Sequence, residues 1–245
     1  MAPTQPRKVC DNSFLIEGCD YLTRPIVLVT GATGGIGASA VREIESVDGA
    51  QVISLSSSDF NLDEPSSIDK FFSERAFSNL EGIVLCAGVN EPRSLVETDH
   101  DLWMRTMGIN VLGHKRILDH VLPIMVRSGG GRIVAISSLY GRIARKGRWS
   151  YSSSKASLEA LIRSVAIEYA EWGILANCVA PGFVATSLTT KNNTGTQIAE
   201  LVRRIPLGRL AAPEEIAKVV RFLISRENTY ITGQTIYIDG GISIS

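Results

Sequence analysis

The hydrophobic positions from residue 25 onward follow two alternating patterns. Short runs of apolar and β-branched residues, such as Ile26-Val27-Leu28-Val29, are bounded by Gly, Pro, Ser or Asn and are typical of buried strands. Longer segments with helical patterning lie between these runs. The alternation predicts βαβ units, so we expect an α/β protein: a single-domain, Rossmann-type, doubly wound parallel sheet between two layers of helices.

The pattern also predicts where each element lies. Strands are expected at 26–30, 51–56, 82–86, 132–137, 174–179 and 235–238. Helices are expected at 35–46, 66–75, 101–127, 152–172 and 213–225. Residues 1–24 are poorly patterned and are interpreted as an N-terminal extension to a catalytic domain at 25–245. Within that domain, the segment at about 187–205 is interpreted as a lid over the substrate.

Composition and charge exclude several classes of protein. The 245 residues include 25 basic and 25 acidic side chains, and this balance argues against a nucleic-acid partner. No apolar run approaches the roughly 20 residues that a membrane span needs, and the N-terminus does not resemble a secretory signal. A cytoplasmic protein without a membrane partner is expected. The four cysteines lack CxxC spacing, so neither a disulfide framework nor a metal site is expected.

A glycine-rich turn directly follows the first predicted strand and opens into a helix. Its sequence is TGATGGIG at 30–37. Glycine permits positive φ angles and a close approach of backbone amides to a diphosphate, which then rests at the positive end of the helix dipole. Glycine in such a turn also serves tight packing, but the strand–turn–helix context favours dinucleotide binding.

Ser138, Tyr151 and Lys155 form a second constellation. Tyr151 and Lys155 are four residues apart and share one face of the predicted helix. A free phenol has a pKa near 10 and is a weak base at neutral pH, so an adjacent ammonium is needed to stabilise its phenolate. Ser138 ends a strand beside this helix, where its hydroxyl can hold a substrate oxygen. An isolated YxxxK is often a coincidence, but here it follows the glycine turn.

Together these motifs resemble those of the short-chain dehydrogenase/reductase family, and within it the 3-oxoacyl-carrier-protein reductase and glucose-dehydrogenase-like branch. The resemblance runs from about residue 25 to 243. It rests on the turn at 30–37, DFNL at 59–62, CAG at 86–88, Asn110, SS at 137–138, YSSSK at 151–155, PG at 181–182 with Thr186, and DGG at 239–241.

The resemblance implies roles for individual residues. The catalytic tetrad would be Asn110, Ser138, Tyr151 and Lys155. Tyr151 would be the general acid or base, Lys155 would lower its pKa and hold the nicotinamide ribose, Ser138 would orient the carbonyl, and Asn110 would bind a relay water. Asp59 and Phe60 would flank the adenine. The implied cofactor contacts are Gly31, Thr33, Gly34, Gly35, Ile36, Gly37, Ser56, Ser57, Asp59, Phe60, Ala87, Gly88, Tyr151, Lys155, Pro181, Gly182, Val184 and Thr186.

Two departures from the family pattern affect these expectations. Cys86 occupies a position where the family usually has Asn, and this change is expected to affect stability more than activity. At the end of the second strand, an acidic residue selects NAD and a basic residue selects NADP, but this chain has serines at 56–58. Because hydroxyls can bond a 2′-phosphate, NADP(H) is favoured over NAD(H). The Arg that is frequent in the family's glycine turn is absent, and Thr33-Gly34 occupies its place.

The loop between Ser138 and Tyr151 carries four cations. It can be a solvated loop, or Arg145 and Arg148 can form a clamp for a substrate carboxylate or phosphate. Tyr140, Trp149 and Phe183 can line the apolar part of the pocket or serve packing alone. His100, His114, His120, Trp103 and Trp172 are interpreted as structural or surface residues.

The predicted function is that of an NAD(P)-dependent, metal-independent oxidoreductase that interconverts a small carbonyl compound and an alcohol. Two alternatives remain open. One is a tailoring enzyme that uses the same site for epimerisation or dehydration, and the other is a dinucleotide-sensing protein without turnover. The family analogy also implies a homotetramer, or a homodimer, built on the helices that begin near Asp101 and Ser152.

Overall fold

A computed structural model describes residues 24–245, so the predicted extension lies outside the described residues except for Arg24. The sheet contains β1 (Ile26–Thr30), β2 (Gln51–Leu55), β3 (Leu80–Leu85), β4 (Gly131–Ile136), β5 (Ile174–Pro181) and β6 (Thr235–Ile238). All neighbouring strands are parallel, in the order β2-β1-β3-β4-β5-β6. The six predicted strands are each confirmed, with ends that differ by up to two residues.

The helices alternate with these strands along the chain. They are α1 (Gly35–Asp48), α2 (Pro65–Ser73), α3 (His100–Met107), α4 (Gly113–Arg127), α5 (Trp149–Glu168), α6 (Ser187–Lys191), α7 (Gly195–Arg204) and α8 (Pro213–Ile224). Short 3-10 turns occupy Leu139–Gly141 and Ala170–Trp172. Within the described residues, no helix is both long and apolar enough to cross a bilayer.

Alternate strand residues point to opposite faces of the sheet and so build two cores. Leu28 packs with apolar residues of α2, α4 and α5, whereas its neighbours Val27 and Val29 pack with α1 and α8. The four central strands, β1, β3, β4 and β5, are buried on both sides, which explains their nearly continuous apolar sequence. The predicted three-layer, doubly wound α/β fold is therefore confirmed.

Two predicted helices differ from the observed ones. The helix predicted at 101–127 is interrupted by a π-helical turn at Gly108–Leu112, which contains Asn110 and which no sequence pattern indicated. Helix α5 begins at Trp149, three residues before its predicted start, and ends at Glu168. Its beginning was missed because Arg148 at the N-cap makes no side-chain capping bond, so the sequence carries no capping signal there.

The predicted lid consists of the short helices α6 and α7. A capping box at Thr194 and Gln197 begins α7. The strand order changes direction between β1 and β3, and this switch point opens a crevice at the carboxyl ends of the strands. The lid segment borders that crevice.

Candidate active site

The glycine turn forms one side of the crevice. Gly31 and Gly35 have φ angles of 65° and 52°, which favour glycine. A Cβ on Gly31 would lie 2.8 Å from the Cα of Ala87, so the turn packs directly against the chain that follows β3. Glycine is therefore required at Gly31 by both the positive φ angle and the close packing, as the sequence predicted for this turn.

The same turn fits a dinucleotide diphosphate. Gly34 is the N-cap of α1, no side chain caps this helix, and its first turn contains no acidic residue. A Cβ on Gly34 would meet nothing within 4 Å, so the backbone here faces open space in the cleft. Free amides at the positive end of a helix dipole are suited to an anion.

The chain after β3 forms the opposite side. Thr30 Oγ1 accepts hydrogen bonds from the backbone N–H groups of Cys86 (3.0 Å) and Ala87 (3.2 Å), which joins the two turns. Gly88 lies close to Lys155, because a Cβ there would be 3.4 Å from Nζ. These contacts position the Cys86–Gly88 turn between the glycine turn and α5.

Three of the four predicted tetrad residues line this one cleft: Ser138, Tyr151 and Lys155. Ser138 follows β4, and its hydroxyl accepts a hydrogen bond from the backbone N–H of Tyr140 at 3.2 Å. Lys155 donates to the carbonyl oxygen of Ile136 at 2.7 Å, and its Nζ lies 5.6 Å from the centre of the Tyr151 ring. The phenol, the hydroxyl and the ammonium therefore face the same space.

Burial dominates the electrostatics of these groups. It raises the pKa of Tyr151 to about 12, although a hydrogen bond with Ser138 and the charge of Arg148 oppose this rise. Burial also lowers the pKa of the Lys155 ammonium to about 8. The protein groups alone do not lower the pKa of Tyr151 as the sequence predicted for Lys155. Desolvation disfavours both the phenolate and the ammonium.

Asn110 lies in the π turn, and its side chain is fully buried. Its Oδ1 accepts from the N–H of Val89 (2.8 Å), and its Nδ2 donates to the Val89 carbonyl (2.9 Å) and to Ser154 Oγ (2.9 Å). The side chain thus joins the segment after β3 to α5. These contacts are made by protein groups, and the role of Asn110 toward a relay water stays a prediction.

The predicted substrate residues divide into two groups. Tyr140, Phe183 and Arg148 line the cleft, and the Tyr140 ring meets the rings of Tyr151 and Phe183 edge-on at 6.4 and 6.1 Å. Arg145 does not line the cleft but donates to the Tyr140 hydroxyl at 3.1 Å. Trp149 does not line the cleft, and its ring stacks on Trp103 at 4.8 Å, which favours packing among the two alternatives left open for it.

Most of the predicted cofactor residues also border the cleft. Besides Tyr151 and Lys155, these are Gly31, Gly34, Gly35, Ile36, Ala87, Gly88, Pro181, Gly182, Val184 and Thr186. The others do not line it: Thr33, Gly37, Ser56, Ser57, Asp59 and Phe60. Gly37 serves packing, since a Cβ there would lie 2.2 Å from the carbonyl oxygen of Gly31. The Phe60 ring packs on Phe71 at 5.1 Å in the core, so it is not exposed to flank an adenine.

Asp59 is bonded to Ser56, the residue directly after β2. Its carboxylate accepts hydrogen bonds from the backbone N–H (2.8 Å) and the hydroxyl (3.0 Å) of Ser56. The Ser56 hydroxyl is also 2.6 Å from the hydroxyl of Ser58. A negative charge therefore accompanies the serines that were expected to favour a 2′-phosphate.

The sequence reasoning missed the polar residues Asn90 and Asn192, which also line the cleft. Asn192 Nδ2 donates to the Asn90 carbonyl at 2.9 Å and so joins the segment predicted as a lid to the segment after β3. Asn90 follows the carboxyl end of a strand, where ligands bind in open α/β sheets, and this signal was sufficient to find it. For Asn192 there was no comparable signal.

Comparisons with known proteins agree with this geometry. A family model described as enoyl-(acyl carrier protein) reductase matches residues 27–243. The chain is 33% identical over 242 residues to the 3-oxoacyl-[acyl-carrier-protein] reductase FabG of Thermotoga maritima, covering 89% of this chain and 98% of that protein.

The chain belongs to the short-chain dehydrogenase/reductase family. Solved structures of the family superimpose closely. The aldohexose dehydrogenase of Thermoplasma acidophilum, in ligand-free form, has a TM-score of 0.81 at 30% identity. The alignment covers 91% of this chain and 95% of the chain of that enzyme. A second structure is that of a protein assigned as an NAD(P)-dependent gluconate 5-dehydrogenase of Beutenbergia cavernae, solved with NADP at low occupancy. It has a TM-score of 0.79 at 25% identity, and the alignment covers 91% of this chain and 98% of that chain.

Membership in the short-chain dehydrogenase/reductase family confirms the predicted resemblance. It also confirms the predicted reaction class, an NAD(P)-dependent oxidoreductase that interconverts a carbonyl and an alcohol.

Proposed function

We propose that the cleft of this enzyme reduces a small carbonyl compound, or oxidises the alcohol, with Tyr151 as the general acid or base. The observation that carries this proposal is that Ser138, Tyr151 and Lys155 line the same cleft as the glycine turn. That cleft lies at the topological switch point, where dinucleotides bind in open α/β sheets.

Each group has a distinct role in the proposed reaction. A nicotinamide dinucleotide bound across the cleft supplies or accepts the hydride. The Ser138 hydroxyl donates a hydrogen bond to the carbonyl oxygen, and the Tyr151 hydroxyl donates its proton to that oxygen as it becomes an alcohol. The raised pKa of Tyr151 keeps the phenol protonated at neutral pH, which suits a general acid in reduction.

Lys155 and Asn110 support this step in different ways. The Lys155 ammonium lies near the phenol and stabilises the phenolate that remains after proton transfer, and its position beside Gly88 suits a contact with the nicotinamide ribose. Asn110 is a positioning residue, because it holds Val89 and Ser154. Tyr140 and Phe183 exclude water from the reacting oxygen.

We propose NADP(H) as the preferred cofactor, on the basis of the hydroxyls of the half-buried Ser56 and the exposed Ser58 and of the NADP bound by the Beutenbergia cavernae protein. The Asp59 carboxylate beside Ser56 opposes a 2′-phosphate by charge repulsion. Asp59→Asn is therefore expected to raise the ratio of kcat/KM with NADPH to kcat/KM with NADH. An unchanged ratio contradicts this role of Asp59.

We also propose that the enzyme is a cytoplasmic homotetramer or homodimer acting on a small molecule. Ile167 on α5 is 82% exposed and Leu112 at the π turn is 54% exposed, and such apolar side chains on neighbouring helices favour a protein contact. Sedimentation of the wild type and of Ile167→Glu tests this, with a smaller species expected for the variant. A monomeric wild type contradicts it.

Turnover of carbonyl compounds tests the proposed reaction. Purified protein is mixed with ketones, oxo acids and sugar derivatives and each reduced cofactor, and oxidation is followed at the nicotinamide absorbance. We expect wild-type turnover and a loss of at least about 100-fold in kcat for Tyr151→Phe, with unchanged dinucleotide affinity. Equal turnover by Tyr151→Phe refutes the assigned role. A tailoring enzyme would convert its substrate without net NAD(P)H consumption, and a sensing protein would bind dinucleotide without turnover.

A further inference from the structure

Arg148 is a buried cation at the substrate end of the cleft. Its side chain is only 6% exposed, and it lines the cleft together with Tyr151. Arg148 is the N-cap of α5 and precedes Tyr151 by three residues, so the guanidinium and the phenol lie within one helical turn. The charge of Arg148 also acts on the pKa of Tyr151, which reflects this proximity.

The bonds that Arg148 makes do not neutralise it. Nη1 donates to Asn90 Oδ1 at 2.9 Å, and Nη2 donates to the Asn192 carbonyl at 3.4 Å, and both acceptors are uncharged. A guanidinium has five N–H donors, so three have no acceptor within residues 24–245. No carboxylate of the described chain forms an ion pair with it.

Some of the other arginines of the described chain form ion pairs with carboxylates. Seven form ion pairs, namely Arg42, Arg93, Arg116, Arg163, Arg209, Arg221 and Arg226. None of these seven is as buried as Arg148. Arg148, the most buried arginine of the described chain, is thus one without an anionic partner, although burying an unpaired charge is costly.

The net charge of the residues that line the cleft also favours an anionic ligand. Among its lining residues are two cations, Lys155 and Arg148, and no aspartate or glutamate. Lys155 lies beside the phenol and donates to the Ile136 carbonyl. Arg148 remains available to a ligand, and an anion bound there gains charge-assisted hydrogen bonds in a site of low dielectric constant.

We propose that Arg148 binds the carboxylate of the substrate, so that this enzyme acts on oxo acids and the corresponding hydroxy acids. The proposal rests on the proposed function, since it places the substrate carbonyl at Tyr151. A planar guanidinium matches a carboxylate in shape and in its single charge. A phosphate dianion would require a second cation, but Arg145 does not line the cleft and donates to Tyr140.

The surrounding bonds hold the guanidinium in one orientation. Asn90 accepts from Arg148 through its side chain and from Asn192 through its carbonyl. Arg148 is therefore fixed between the segment after β3 and the lid. A carboxylate bound there is held at a constant distance from the phenol, and the carbonyl of the same molecule is positioned for the proton transfer.

Kinetics on matched acids and esters test the proposal. Short 2-oxo and 3-oxo acids and their methyl esters are compared with wild type, Arg148→Gln, Arg148→Lys and the control Lys146→Gln, which removes an exposed cation from the same loop. We expect the wild type to prefer acids. Arg148→Gln is expected to lose about 10- to 100-fold in kcat/KM for acids, while esters change by less than about threefold. Arg148→Lys should retain part of the preference, and Lys146→Gln all of it.

Two results would overturn the inference. One is a wild type that reduces esters as well as acids, and the other is an equal loss for acids and esters in Arg148→Gln, which indicates a structural role only. Calorimetric binding of hydroxy acids and of their amides to the wild-type dinucleotide complex gives a reading that requires neither turnover nor a folded variant. Acid binding well above amide binding supports the inference, even if no carbonyl is reduced and the proposed function fails. Equal binding overturns it.

Discussion

Two glycines of the same turn are predicted to respond in opposite ways to alanine. A Cβ on Gly37 would lie 2.2 Å from the Gly31 carbonyl oxygen and 2.9 Å from its carbon, which are backbone atoms that cannot move aside. A Cβ on Gly34 would meet nothing within 4 Å, and its φ of −169° suits any residue. Gly37→Ala therefore tests the packing of the turn, and Gly34→Ala tests the diphosphate site.

The magnitudes follow from these distances. For Gly37→Ala, overpacking costs about 3 kcal/mol and alanine in a helix returns about 1 kcal/mol, so we expect a net loss of about 2 kcal/mol. For Gly34→Ala, a poorer N-cap costs about 1 kcal/mol, and the reduced entropy of the unfolded chain offsets about as much. Its stability should stay within about 1 kcal/mol of wild type.

Dinucleotide binding should change in Gly34→Ala nevertheless. The new methyl group projects into the cleft and keeps the diphosphate away from the amides, and loss of one charge-assisted hydrogen bond weakens affinity by about 10- to 100-fold. Chemical denaturation and calorimetric titration with NADPH measure the two effects separately. Unchanged affinity together with unchanged stability in Gly34→Ala would refute the diphosphate site, and a Gly37→Ala protein as stable as wild type would refute the packing.

Three further predictions follow from the buried groups. Because the Tyr151 pKa is raised to about 12, the fraction of phenolate needed for alcohol oxidation increases with pH. The kcat/KM for oxidation should therefore rise between about pH 7 and 9, whereas the kcat/KM for reduction should not. A flat pH profile for oxidation contradicts this. Desolvation raises the thiol pKa values of Cys86 and Cys178 to about 11 and about 12, so little thiolate forms at pH 8 and both should resist alkylation until the protein unfolds, even though Cys86 borders the cleft. Rapid labelling of the native protein in peptide mass maps would count against this. Asn110→Ala leaves the backbone of Val89 without its partners and should cost about 2–4 kcal/mol in denaturation, whereas a loss below about 1 kcal/mol would exclude its positioning role.

The sequence was sufficient for the fold because each strand is mainly apolar and bounded by turn residues. Leu28, Ile83 and Ile133 and their neighbours face two cores, and only a doubly covered parallel sheet accommodates that pattern. The π turn around Asn110 had no such signal, since it is set by the bonds of the buried amide to Val89 and Ser154. Tertiary contacts of this kind are not encoded in local periodicity.

The site was predictable where local geometry determines function. The glycine turn and the Tyr151–Lys155 spacing are local, and their residues meet in one cleft. The packing of Trp149 on Trp103 and of Phe60 on Phe71 could not be predicted, because the sequence around both residues is polar or functional. The interpretation of Arg148 needed the structure, since four cations of one loop cannot be ranked until their burial is known.

Transfer of a labelled hydride is the most direct measurement of the central claim. The wild type is incubated with NADPH that carries deuterium at both C4 positions of the nicotinamide and with the best carbonyl substrate from the turnover assays, and the alcohol is analysed by mass spectrometry and NMR. We predict one deuterium on the carbinol carbon, in a single configuration, and no labelled alcohol from Tyr151→Phe over the same time. Alcohol that forms without deuterium on its carbinol carbon would contradict hydride transfer at this site.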